Sequence, residues 1–80
     1  MGKNENHSDA SGVILRNYRL EKELTLEQLS ERVSVAHSFI HRLETEKKQP
    51  SLRMILKLAN ALGVRPGELV DAMADRIAGK

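Results

Sequence analysis

Residues 24–46 read LTLEQLSERVSVAHSFIHRLETE, and this stretch decides the fold. Thr25 and Gln28 stand three apart ahead of an apolar run. At that spacing the Thr25 hydroxyl accepts from the Gln28 backbone N–H, and the Gln28 side chain reaches back. This is a capping box, and it starts a helix at Leu26. Leu26, Leu29 and Val33 follow at spacings of three and four, which gives one apolar face over 26–33. Ser34-Val35-Ala36 is a short break. A second helix is expected over 37–46, with Ile40 and Leu43 as its inner stripe and Phe39 beside them. His37, Ser38, His41, Arg42 and Thr45 fall on its other faces. A three-residue break is too short for the two helices to lie antiparallel and fully packed. They must cross steeply, and the second helix then projects outward.

The flanks supply three more helices. One is expected to begin near Asp9 or Ser11, either of which can cap it, and to end near Lys22 or Glu23. Leu15 and Tyr18 share a face of it, and Val13, Ile14 and Leu20 widen the apolar surface. After a loop from Lys47 to Pro50, Ser51 is a natural N-cap. Leu52, Ile55, Leu56, Leu58, Ala59 and Leu62 make the helix that follows heavily apolar, and Gly63 suits its left-handed end. Pro66 opens the last helix, lined on one side by Leu69, Val70, Met73 and Ile77. No alternating run is bounded by turn signals, so no strand is expected. Residues 1–8 are polar and aperiodic and read as a disordered tail, which leaves one domain over 9–78. The expected fold is all-α, five short helices around one core. Helices two and three have the layout of a helix-turn-helix.

Composition bounds the function. Eighty residues leave no room for a second domain. Hydrophobic residues at 40% and charged residues at 30% indicate a globular chain, not a disordered one. Tyr18 and Phe39 are the only aromatic rings, so stacking of bases on aromatic side chains is not an expected mode of action. The absence of cysteine excludes a disulfide framework, thiol chemistry and a four-cysteine zinc site, and it fits a reducing compartment. No apolar run is long enough to span a membrane, and the first dozen residues lack the apolar stretch of a secretory signal. A cytoplasmic location is therefore expected. Net charge is only +2, but its distribution is uneven. Residues 47–65 carry Lys47, Lys48, Arg53, Lys57 and Arg65 and no acidic group. Positive charge concentrated this way suits phosphates.

From Gly12 to Leu69 the chain resembles the Cro/CI-type (XRE-type) helix-turn-helix family of phage and bacterial repressors. The matching residues are Leu15, Tyr18-Arg19, Leu24-Thr25, Gln28-Leu29, Glu31-Arg32, Val35, Ser38-Phe39-Ile40 and Arg42-Leu43-Glu44. The match resumes at Pro50-Ser51-Leu52, Leu58-Ala59 and Ala61-Leu62-Gly63-Val64, without a gap. The resemblance implies a five-helix, phage-repressor-like DNA-binding domain whose third helix lies in the major groove. It also implies a partly buried ion pair between Arg19 and Glu44, tying helix one to the end of the recognition helix. Some positions depart from the family. Glu23, Ser34 and Glu46 stand where glycine is usual, at turn positions that favour φ > 0. Leu26 replaces a phosphate-contacting glutamine, Ala36 replaces a Ser or Thr cap, and Ser30 replaces an alanine.

Side chains that reach base edges should lie at the N-terminal end and outward face of helix three. These are His37, Ser38 and Arg42, and Arg42 can pair with guanine O6 and N7. Lys47, Lys48, Gln49 and Arg53 are expected to hold the phosphate backbone, joined by Thr25, Gln28 and His41. His37 and His41 have metal-ligand spacing but no clear third ligand, so no metal site is expected, and no cofactor either. Without a Gly-rich phosphate loop or a G-x-S-x-G elbow, the chain does not read as an enzyme. One small domain reads few base pairs. A homodimer on palindromic double-stranded DNA is expected, built partly from Leu69, Val70, Met73 and Ile77. No place for a small-molecule effector is evident. The expected function is a transcriptional regulator of the repressor kind. The alternatives are an antitoxin or restriction-controller type of autoregulator, or a module that binds a protein partner instead of DNA.

Overall fold

The computed structural model describes residues 10–45 and 49–77. The expected tail over 1–8, the turn residue Glu46, and Lys47 and Lys48 lie outside them. The described residues form five helices and no strand: α1 (Ala10–Glu21), α2 (Leu26–Val33), α3 (His37–Thr45), α4 (Leu52–Leu62) and α5 (Pro66–Ile77). Among the described residues, no helix is long and apolar enough to cross a membrane.

Local chemistry sets the ends. At α2 the Thr25 hydroxyl accepts from the Gln28 N–H at 3.0 Å, and the Thr25 N–H donates to Gln28 Oε1 at 2.8 Å. Ser51 caps α4 by accepting from the Met54 N–H at 3.1 Å. Three helices close in one geometry. A residue in the left-handed region ends each: Glu23 at φ 58°, Ser34 at φ 62° and Gly63 at φ 73°. The next amide then reaches back five residues: Leu24 N–H to Arg19, Val35 N–H to Ser30 and Val64 N–H to Ala59, at 3.1, 3.0 and 3.0 Å. This pairing satisfies carbonyls that a helix end would otherwise leave orphaned. Glycine occupies one of the three sites, and L-residues hold the other two.

The core runs from Leu15 and Leu24 through Leu29, Val33, Ile40 and Leu43 to Leu58, Ala59 and Leu62, and is completed from α5 by Leu69 and Met73. Leu69 is fully enclosed and Met73 is 5% exposed, so neither side chain is available to a second subunit. The apolar stripe of α5 is spent inside the protomer. Of the expected dimer face only Val70 is exposed, and the Ile77 side chain lies outside the described residues.

α1 packs against α3 and α5, α2 against α3 and α4, and α4 against α5. The α1–α3 approach is close. A Cβ built on Gly12 would lie 2.6 Å from the Glu44 carbonyl oxygen and 2.7 Å from that of Leu43. The Tyr18 hydroxyl donates to Glu68 Oε2 at 3.2 Å, linking α1 to α5. Its pKa is raised above the ordinary value by desolvation first and then by the Glu68 carboxylate.

Candidate nucleic-acid interface

α3 is supported from beneath and open above. Ile40 and Leu43 are buried against the core, while His37, Ser38, His41, Arg42 and Thr45 are all exposed. Buried positions every three residues leave the rest of the circumference polar. Phe39 lies at the margin, half-buried against the core. α3 has no side-chain cap at its start. The Phe39 N–H is satisfied by the Ala36 carbonyl at 3.0 Å.

One buried ion pair fixes the far end of α3. Arg19 Nε donates to Glu44 Oε2 at 2.7 Å, and its Nη2 donates to Glu44 Oε1 at 3.0 Å. The third arm of the guanidinium donates to the Leu24 carbonyl at 2.8 Å. Both side chains are enclosed, at 9% and 2% exposure. The planar fork therefore meets α1, the α1–α2 turn and α3 at once, which a single point charge could not do.

The expected phosphate-contacting residues flank this helix. Thr25 and Gln28 are exposed, and their cap hydrogen bonds leave the hydroxyl proton and the amide NH2 as donors toward solvent. Gln49 and Arg53 are exposed near the start of α4. Thr45 is exposed too, but its hydroxyl already donates to the His41 carbonyl at 2.8 Å. No group of three or more metal-ligating side chains occurs among the described residues.

Sequence reasoning missed a second feature. A cleft of about 440 Å³ lies beside α3, walled by Arg16 and Asn17 of α1 and by His41 and Thr45 of α3. Leu26 closes one end, and the Arg19–Glu44 pair is its floor. Arg16 and Asn17 carry no sequence signal for this. Only the spacing of Val13, Arg16 and Asn17 on one face of α1 hints that they act together.

Comparison with known proteins bears on this geometry. Residues 15–69 match the helix-turn-helix family. A curated relative from Methanothermobacter thermautotrophicus, described as an uncharacterized HTH-type transcriptional regulator, is 42% identical over 50 residues, spanning 62% of this chain and 72% of that protein. Among solved structures, the clp gene regulator ClgR from Corynebacterium glutamicum superposes with a TM-score of 0.83 at 25% identity, covering 96% of this chain and 99% of that one. A point mutant of the restriction-modification controller protein C.Esp1396I superposes at 0.78 with 18% identity, over 92% and 99% of the two chains, and shares the fold. The matched region takes in both helices of the motif, the turn between them and the ion pair beneath. The chain belongs to the helix-turn-helix family.

Proposed function

We propose that this protein, a DNA-binding transcriptional regulator, reads the major groove with α3 and acts by occupying its operator as a repressor. The observation that carries this is the construction of α3. Its polar face is open, its apolar face is seated on the core, and its end is pinned by the Arg19–Glu44 pair. A helix fits the major groove and meets a distinct donor and acceptor pattern on each base pair there. Arg42, His37 and Ser38 are the base-reading residues of the proposal. Thr25, Gln28, His41, Gln49 and Arg53 hold phosphates, with Lys47 and Lys48 in the same role. Such contacts position the protein without reading sequence. The protein acts by binding, without catalysis, in the cytoplasm, as a two-fold pair on a palindromic site.

Selection from a randomised duplex pool tests this, with Arg42→Ala run beside the wild type. The expected result is an enriched palindrome with half-sites about 34 Å apart. Arg42→Ala should relax the preference at one position, a loss of about 1–3 kcal/mol of discrimination. No enrichment at low salt would overturn the proposal and direct attention to a protein partner.

A further inference from the structure

We infer that the cleft between α1 and α3 is a phosphate seat, and that Arg16 and Asn17 of α1 hold a DNA backbone phosphate in it. This rests on the DNA reading above and adds α1 to the interface.

The position of the cleft is the first argument. His37, His41 and Thr45 follow one another at spacings of four along α3, so they form one ridge. The first of them is a base-reading residue of the proposal, and the other two wall the cleft. The cleft therefore opens along the margin of the reading face, where the backbone of a groove-bound duplex runs. Its charge is the second argument. Glu44 is the one carboxylate in the lining, and both its oxygens accept from Arg19. The floor is thus a neutralised pair. Arg16 is exposed, and no ion pair holds it among the described residues, so its charge is available at the rim. Asn17 adds two amide donors, and His41 adds a ring donor from the opposite wall. The third argument is what the neighbouring side chains lack. Leu26 is apolar and the Thr45 hydroxyl proton is already used, so neither side chain can donate to an anion. The donors left to grip a phosphate are those of Arg16, Asn17 and His41. Arg16 is the one permanent cation among them.

The experiment measures affinity against salt for the operator and for a scrambled duplex, with the wild type, Arg16→Gln and Asn17→Asp. Both positions are exposed, so thermal unfolding should show the fold intact. One lost phosphate contact reduces the salt slope by about 0.9 and, at 0.1 M salt, the affinity by about eightfold. That loss should be equal on the two duplexes for Arg16→Gln, and Asn17→Asp should also weaken both by introducing a like charge. A second arm titrates inorganic phosphate alone and follows the backbone amides of α1 and α3 by NMR.

Variants that match the wild type in slope and affinity, while Arg42→Ala still loses operator preference, would overturn the inference and leave the DNA reading standing. Phosphate shifts abolished by Arg16→Gln with unchanged DNA affinity would assign the seat to a free phosphate and overturn the DNA role. A wild type that binds neither duplex at low salt would overturn both readings.

Discussion

At the scale of single residues, Ser34 and Glu23 hold backbone conformations that suit glycine. Both sit in the left-handed region, at φ 62° and φ 58°, where a Cβ crowds the following carbonyl. Glycine removes that crowding but adds freedom to the unfolded chain, which offsets part of the gain. Ser34→Gly should therefore stabilise the domain by about 0.5–1 kcal/mol. In a chain of this size that appears as a rise of about 2–8 °C in Tm by calorimetry. An unchanged or lowered Tm would show that the Ser34 side chain compensates locally. The Arg19–Glu44 pair makes the opposite prediction. Truncating one partner leaves the other charge buried and unpaired, so Arg19→Ala should cost about 3–5 kcal/mol in urea unfolding. Replacing both partners at once, as Arg19→Met with Glu44→Leu, should recover most of that stability. A single truncation costing under 1 kcal/mol would place the pair with ordinary surface ion pairs instead.

At the scale of elements, what could be read in advance was what is local. The capping box at Thr25 and Gln28, the Ser51 cap and the Gly63 stop each depend on a few neighbouring residues, and all three appear as their spacing implies. The left-handed turns at Glu23 and Ser34 carry no such signal in their own side chains, and they were legible only through the family resemblance. The apolar stripe of α5 was legible as a stripe but not in its destination. Leu69 and Met73 have the same spacing whether they face a core or a second subunit, and only packing decides. The cleft was hidden for the same reason, since its walls come from helices some two dozen residues apart in sequence. Gly12 shows what brings those walls together. It allows α1 to rest on the last carbonyls of α3, with no room for a methyl group. Gly12→Ala must push the two helices apart, because the obstructing atoms are backbone. The expected cost is about 1–3 kcal/mol. α3 would shift with its reading face, so operator affinity should fall even where the fold survives. Operator binding at wild-type strength by a folded Gly12→Ala protein would show that α1 does not set the pose of α3.

At the scale of the whole molecule, the surface leaves apolar groups that the core does not use. Leu52 is 69% exposed, Leu56 is 47% exposed and Val70 is 39% exposed. Leu52 and Leu56 lie four apart on α4 and share a face. Scattered apolar side chains are ordinary on a protein surface, but a pair on one helix beside an exposed valine is a nucleus for association. A two-fold axis through such a patch repeats it on both subunits and sets two recognition helices side by side. The dimer expected from the α5 stripe thus moves to the side chains that remain outside. Leu56→Glu should then lower dimer affinity without unfolding the protomer, since an exposed position away from caps and core changes stability by under about 0.5 kcal/mol. Sedimentation equilibrium should show the wild type approaching twice the monomer mass as concentration rises, and Leu56→Glu remaining a monomer over the same range. Operator binding should weaken in parallel, because the second half-site is no longer delivered with the first. A wild type that stays monomeric at every concentration, with and without operator duplex, would refute the two-fold pair. The salt slope would then count the phosphate contacts of one subunit.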